Sequence, residues 1–335
     1  MTFFKQALMR KLLVIGCSLL VLGSSVPCEA TTWKFYLFTA PVNPGTQAFQ
    51  QFAKEVFEET KGELKIDVYP AQELPYPTTE MPMTVRKNHV QMADAYGGLV
   101  SGQLPIAGLF DLPFLVRDLD ELKLTMEMIK PKLESDLKKF RAKLLFYYTW
   151  PLQNIWTSVP VDFLDTLKGL KIRTNNLPQL NFINQLGGAA VTMSPTEVAP
   201  AAQRHVVDGA ITAAFAMYGV KWNEFLRYGY ILNMHLAPSF IIVNENAYKA
   251  LSEDIRRVLD EKAAKYQQIM IDTFITEDSS AIESLRADGV KMTYVTDEDV
   301  KKAENIAHQC WDEWTSKQKK DIQDLMIQVR KGLNK

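Results

Sequence analysis

The chain has 335 residues, and its 38 basic and 39 acidic side chains leave a formal net charge of −1. So small an excess of charge provides no basic surface for a polyanion, so nucleic acid is not an expected partner. Hydrophobic residues make up 47% of the chain, enough for extensive buried cores. The length exceeds that of one typical core and predicts two domains.

The first thirty residues have the pattern of a secretory signal peptide. Lys5, Arg10 and Lys11 precede an apolar run at residues 12–23, and small residues then lead to Ala30. That run is shorter than the roughly 20 residues of a membrane-spanning helix. We therefore expect cleavage after Ala30 and a periplasmic location. A permanent membrane anchor and lipidation at Cys17 are the alternatives.

Cysteine usage excludes an internal disulfide in the exported chain. Cys17 and Cys28 lie within the signal, so only Cys310 remains. Cys310 lies beside Trp311 on an amphipathic pattern, which favours a packed small hydrophobe over a nucleophile.

Residues 31–152 predict an α/β domain that begins with a βαβ unit. Apolar residues alternate where strands are expected and recur at helical spacing between them. The predicted elements are strand 33–39, helix 46–59, strand 64–68, helix 79–87, strand 90–96, helix 119–140 and strand 144–150.

The polar segment from Trp150 to Ser158 reads as a crossing to a second α/β domain and not as an element of its own. The second series is strand 170–174, helix 178–186, strand 189–193, helix 196–203 and strand 206–212, followed by a β-rich run at 239–243. A further crossing is expected near Pro238.

A very long helix is predicted after Ser252, which is a good N-cap with Glu253 and Asp254 in the first turn. Its apolar spacing continues to Gly289, with a bend expected at residues 276–280. We expect this helix to act as a spine across both domains, with a strand at 291–295 and two amphipathic helices after it. The predicted domains are 31–152 plus about 238–275, and 153–237 plus about 276–335.

Several short segments, in fixed order, carry a family resemblance. They are residues 167–173 (Leu-Lys-Gly-Leu-Lys-Ile-Arg), 194–198 (Ser-Pro-Thr-Glu-Val) and 206–209 (Val-Val-Asp-Gly), supported by residues 112–115 and 60–64. In this order the chain resembles the DctP-type substrate-binding proteins of tripartite ATP-independent periplasmic (TRAP) transporters, over residues 33–320.

The resemblance implies a monomeric two-domain receptor with the periplasmic-binding-protein fold and a hinge. Such a receptor closes around a carboxylated solute and delivers it to membrane permease subunits, without a cofactor. In the family, the arginine that matches Arg173 binds the ligand carboxylate. The other matching pocket positions are Phe38, Thr39, Tyr96, Gln153, Asn176 and Thr212.

The residues themselves add an aromatic wall to this site. We expect Trp150 and Phe215 to face the ligand because they neighbour Gln153 and Thr212, whereas Tyr147, Tyr218 and Trp222 are expected in the core. Relatives that bind sugar acids often carry a second arginine in place of Gln153 and an asparagine in place of Thr212. The sequence therefore favours an apolar or aromatic monocarboxylate, with a 2-oxo or 2-hydroxy group as options.

Catalytic and metal sites are not expected. The four histidines show no ligand spacing, and neither a nucleophile elbow nor a phosphate loop is present. Two alternatives to the transport receptor remain open. One is an exported α/β hydrolase or lyase acting on a small carboxylate, and the other is a ligand-sensing receptor for a membrane kinase.

Overall fold

The computed structural model describes residues 30–335 except 72 and 194, so the signal peptide predicted above lies outside the described residues. The strands are β1 Thr31–Tyr36, β2 Leu64–Tyr69, β3 Met92–Tyr96, β4 Ala142–Trp150, β5 Asn154–Thr157, β6 Lys171–Thr174, β7 Ala189–Thr192, β8 Gly209–Thr212, β9 Tyr228–Ile231, β10 Ala237–Asn244 and β11 Lys291–Tyr294.

Eleven α-helices connect these strands in the described part of the chain. They are α1 Pro44–Glu59, α2 Met81–Arg86, α3 Gly97–Val100, α4 Leu119–Lys139, α5 Leu177–Gln185, α6 Pro195–Gln203, α7 Ala214–Gly219, α8 Glu245–Ala250, α9 Glu253–Ala287, α10 Asp297–Ser316 and α11 Lys320–Gly332. A 3-10 helix, Pro105–Asp111, precedes α4.

The first sheet has the strand order β2-β1-β3-β10-β4. Strands β1 and β2 pair in parallel from Thr31 opposite Leu64, which confirms the predicted βαβ opening. Strand β10 pairs antiparallel with both β3 and β4, and all eight of its residues are buried. It returns from far along the chain and completes the sheet.

The second sheet has the strand order β11-β9-β5-β8-β6-β7. Strand β6 pairs in parallel with β7 and β8, so Arg173 lies opposite Val191 on one side and Ala210 on the other. Two strands of this sheet depart from the sequence predictions. Residues 154–157 form β5 where only a crossing was expected, and β9 was not predicted.

Burial explains why β5 was missed. All four of its residues are buried, because the strand lies between β8 and β9 inside the sheet. A strand covered on both faces loses the alternation of polar and apolar residues by which strands are recognised. The chain therefore crosses between the sheets at residues 151–153 and 232–236, and Pro238 lies within β10.

The long helix α9 is confirmed as one uninterrupted helix of 35 residues. Ser252 caps it, with Oγ accepting a hydrogen bond from the Ile255 backbone N–H at 3.3 Å. The helix packs against α1 and β4 beside the first sheet and against α7 beside the second. It therefore connects both halves of the molecule, whereas the bend at residues 276–280 stays a prediction.

The two C-terminal helices pack differently from each other. Helix α10 lies against α5, and α11 lies against α4. Cys310 on α10 is buried and free, and burial raises the pKa of its thiol to about 12.

The domain boundaries remain a prediction. Within the described residues, no helix has the length and apolar composition needed to cross a bilayer.

Candidate functional site

The two crossings run side by side and bond to each other. The Gln153 backbone N–H donates to the His235 carbonyl at 3.3 Å, and the Met234 N–H donates to the Gln153 carbonyl at 3.0 Å. The Asn233 N–H adds a bond to Asn154 Oδ1 at 2.8 Å. The connection between the sheets is thus a short two-stranded strip, and Gln153 lies within it.

Arg173 is placed by β6, in the interior strand of the second sheet, and is only 2% exposed. Its Nε donates to the Met193 carbonyl at 3.0 Å and its Nη1 to the Ile211 carbonyl at 3.2 Å. The guanidinium also lies over the Trp222 ring, 5.7 Å from the centroid. These contacts fix the side chain without neutralising its charge.

Arg173 has no salt bridge to a carboxylate in the part of the chain that the structure describes, although the charge of Glu197 reaches it. Burial lowers the pKa of its guanidinium to about 10, and the charge of Glu197 acts in the opposite direction. The side chain therefore remains cationic at neutral pH. A buried cation held by neutral carbonyls is suited to bind an anion with its remaining N–H groups.

Four of the predicted site residues form one aromatic wall. Phe38 stacks on Tyr96 with ring centroids 5.2 Å apart, and it meets Trp150 edge-on at 5.2 Å. Trp150 in turn stacks on Phe215 at 5.7 Å. The wall draws Tyr96 and Trp150 from the first sheet, Phe38 from the segment that follows β1, and Phe215 from α7, beside the second. It therefore spans both halves of the fold.

Electrostatics connect this aromatic wall to Arg173. Burial and the charge of Asp111 raise the pKa of Tyr96 well above its usual range, whereas the charge of Arg173 lowers it. The Tyr96 hydroxyl is thus within electrostatic reach of both charged groups. The structure brings the predicted carboxylate anchor and the predicted ring surface into one region.

Trp150 is anchored from behind by a polar chain. Its Nε1 donates to Ser239 Oγ at 3.1 Å, and Ser239 lies close enough to the buried carboxyl of Asp94 to lower its pKa. The Tyr148 hydroxyl also donates to Asp94, at 2.9 Å. Burial raises the pKa of Asp94 to about 7. This chain fixes the indole in one orientation.

Phe215 is held by the long helix. Asp278 on α9 accepts hydrogen bonds from the backbone N–H groups of Phe215, at 2.9 Å, and Ala214, at the start of α7. Phe274, one turn earlier, packs against Trp150 at 4.4 Å and against Phe215 at 5.3 Å. Helix α9 therefore supports the wall directly.

The other predicted polar positions make hydrogen bonds within the protein. The Thr39 hydroxyl bonds to that of Thr46 at 2.8 Å, the Thr212 carbonyl accepts from Trp156 Nε1 at 3.0 Å, and Gln153 Nε2 donates to the Pro151 carbonyl at 2.9 Å. Asn176 Oδ1 caps α5, but its buried Nδ2 has no partner. Asn176 therefore retains a buried donor without a partner, and the Thr212 side-chain hydroxyl has no hydrogen bond to another described residue.

Some contributors to the site were not identified from the sequence. Phe274 reads as one more apolar residue of a helix stripe, and nothing local marks its contact with Trp150. Trp222 is buried as expected, but it also packs on Arg173. Tyr218 is 41% exposed and not in the core, because α7 turns Phe215 and Met217 inward instead. Asp111, by contrast, could have been noticed in the sequence because it is a lone carboxyl within an apolar run.

Comparison with known proteins gives consistent results. The family profile described as bacterial extracellular solute-binding protein, family 7, named DctP, matches residues 37–318. The 2,3-diketo-L-gulonate-binding periplasmic protein YiaO of Escherichia coli is 25% identical over 288 residues, 83% of this chain and 85% of that protein. The C4-dicarboxylate-binding periplasmic protein DctP of Rhodobacter capsulatus is 26% identical over 282 residues, 82% and 84% of the two chains.

A solved structure shows the same fold. The Bordetella pertussis extracytoplasmic solute receptor DctP7, which binds pyroglutamic acid, superimposes with a TM-score of 0.82 at 24% identity, covering 90% of this chain and 100% of that one. The two-domain α/β architecture predicted from the sequence is thereby confirmed. The chain belongs to family 7 of the bacterial extracellular solute-binding proteins, the DctP family of TRAP-transporter receptors.

Proposed function

We propose that the protein captures a small organic acid outside the cytoplasm by a salt bridge between Arg173 and the ligand carboxylate. The observation that carries this proposal is the buried, cationic Arg173, held by the carbonyls of Met193 and Ile211 and facing no carboxylate partner among the described residues. A planar guanidinium presents parallel N–H donors that fit a carboxylate. The relatives named above bind acids, in agreement with this role.

We further propose that the two halves close around the ligand about the strip formed by residues 151–153 and 232–236. The aromatic wall supports this, because Trp150 precedes one crossing while Phe215 stacks on it from the other half. A short strip with few backbone hydrogen bonds absorbs a rotation readily. The closed receptor then delivers the acid to TRAP permease subunits as a monomer that binds its ligand without converting it.

The ligand that fits this wall is a monocarboxylate with an apolar, branched or aromatic body. Phe38, Tyr96, Trp150 and Phe215 supply mostly ring surface, which gains from contact with an apolar body. The side chain of Gln153 carries no charge and cannot neutralise a second carboxylate. A sugar acid brings several hydroxyl groups that lose water on closure, and each costs free energy if it stays unpaired.

A thermal-shift screen tests the ligand class. The purified protein would be heated with matched sets of aromatic, branched-chain, dicarboxylic and uronic acids at equal concentrations. We expect the melting temperature to rise with the aromatic or branched monocarboxylates, because a ligand that binds only the folded state stabilises it. Stabilisation confined to the dicarboxylic or uronic acids would contradict the proposed class.

A further inference from the structure

Asp111 is a buried carboxyl that the proposed salt bridge does not use. It ends the 3-10 helix Pro105–Asp111 and is only 2% exposed. Its side chain has no hydrogen bond or ion pair with any residue that the structure describes. An unpaired buried carboxylate costs free energy, so a group that pairs with it on ligand binding would be favoured.

Asp111 lies against the aromatic wall. A Cβ atom built on Gly98 would lie 3.2 Å from each carboxyl oxygen of Asp111 and 2.9 Å from Cε1 of Tyr96. Any side chain at residue 98 would therefore displace one of these two groups. The charges of Asp111 and Arg173 shift the pKa of Tyr96 in opposite directions, so both groups lie close to this ring. The site thus contains an anion-binding group and an acceptor around one tyrosine.

We propose that Asp111 accepts a hydrogen bond from the ligand, so that the site selects monocarboxylates carrying a hydroxyl or N–H group on their body. This inference rests on the proposed function, because Arg173 must hold the acid group first. It separates the two options left open by the sequence, since a 2-hydroxy acid offers a donor and a 2-oxo acid does not. It also disfavours dicarboxylates, because a second carboxylate would repel Asp111.

The specificity of such a site follows from the cost of leaving Asp111 unpaired. A ligand donor gives a charge-assisted hydrogen bond, whereas the same ligand without the donor closes over a bare carboxylate. Sites built to hydrogen-bond a substrate group discriminate strongly against analogues that lack it. Burial raises the pKa of Asp111 to about 7, so measurements at pH 8.5 examine the ionised acceptor.

Calorimetric titration with a matched ligand series tests the inference. The probes are 3-phenylpropanoate, its 2-oxo form and both enantiomers of its 2-hydroxy and 3-hydroxy forms, with the corresponding 3-methylbutanoate set, whose 3-hydroxy form is achiral, as the branched alternative. We expect the best hydroxy acid to bind the wild-type protein at least about tenfold more tightly than its parent or oxo analogue. In Asp111→Asn, this ratio should fall to about threefold or less, and the parent acid should bind at least as tightly as in wild type because it no longer closes over an unpaired carboxylate.

The parent acid serves as an internal control for folding, because it needs Arg173 but not Asp111. Asp136→Asn is the matched variant, since Asp136 is a buried carboxyl on α4 that bonds Lys132 and Lys139. It should keep the wild-type ratio. A hydroxy advantage that is absent in wild type, or that survives Asp111→Asn, overturns the inference alone. Failure of every acid in both sets to bind would overturn the proposed ligand class together with it.

Discussion

Individual side chains in this site combine a support role with unused hydrogen-bonding capacity. Arg173 donates two hydrogen bonds to the backbone carbonyls of Met193 and Ile211 and keeps its charge. Asn176 Oδ1 accepts a hydrogen bond that caps α5, whereas its buried Nδ2 has no partner. Each residue is therefore fixed before a ligand arrives, which reduces the entropy lost on binding.

The raised pKa of the Asp94 carboxyl leads to a prediction of how the stability of the protein depends on pH. Burial raises its pKa to about 7, against an ordinary value of about 3.9 in an unfolded chain. A raised pKa means that the folded state holds a proton that the unfolded state has released. The stability from this group is therefore fully present below about pH 4 and is lost as the pH rises through 7.

We expect Asp94→Asn to gain stability relative to wild type between pH 5 and 7, by up to about 1.4 kcal/mol per pH unit. Urea denaturation at pH 5, 6 and 7 measures this difference in the free energy of unfolding. Tyr148→Phe is the control, because it removes the hydrogen bond from Tyr148 but keeps the carboxyl and should keep the pH dependence. A difference between Asp94→Asn and wild type that does not change with pH would contradict the assignment.

At the scale of elements, α9 organises the site from outside the sheets. It packs Phe274 against the aromatic wall and places Asp278 at the start of α7, while it packs on α1 and β4 at its other end. Burial raises the pKa of Asp278 to about 6, although the backbone hydrogen bonds from Phe215 and Ala214 lower it. The position of Phe215 thus depends on a helix that starts near residue 253.

The two crossings carry the prediction for closure. They share a short strip of backbone bonds, and Trp150, directly before the first crossing, stacks on Phe215 of α7. We expect a saturating ligand to reduce the radius of gyration in small-angle scattering, because rotation about the strip brings the two sheets together. The same titration with Arg173→Ala serves as the control and should leave the radius unchanged. An unchanged radius for wild type at saturation would contradict closure.

The elements that show regular hydrophobic spacing or a helix cap were predictable from the sequence, whereas the fully buried strand was not. The βαβ opening and α9 carry alternation, helical spacing and the Ser252 cap, which are local signals. Strand β5 has four buried residues and no alternation, so it read as a crossing. Its identity depends on neighbours supplied by β8 and β9, which are distant in sequence.

The same distinction holds within the site. The resemblance identified Arg173, and proximity along the chain suggested Trp150 and Phe215, which do stack on each other. The contact of Phe274 with Trp150 joins residues more than a hundred positions apart and leaves no local trace. Asp111 interrupts an apolar run, but only the fold shows that its carboxyl lies beside Gly98 and Tyr96.

At the scale of the whole molecule, the fold places one cation and one aromatic surface where its two halves meet. Arg173 comes from the second sheet, while Tyr96 and Trp150 come from the first and Phe38 from the segment directly after β1. Neither half alone carries both the anchor and the full wall. The account therefore depends on Arg173 as the group that holds the acid.

Calorimetric titration of Arg173→Ala with the acid that the thermal-shift screen selects tests this claim most directly. Removing one partner of a buried charge pair costs about 2 to 5 kcal/mol, so we expect a loss of affinity of roughly 30-fold to several thousand-fold. Arg227→Ala is the matched control, because Arg227 also donates to two backbone carbonyls, those of Asn223 and Asp288, away from the wall. With both variants shown to be folded by thermal unfolding, wild-type affinity in Arg227→Ala and the large loss in Arg173→Ala would support the account. An affinity within threefold of wild type in Arg173→Ala would contradict it.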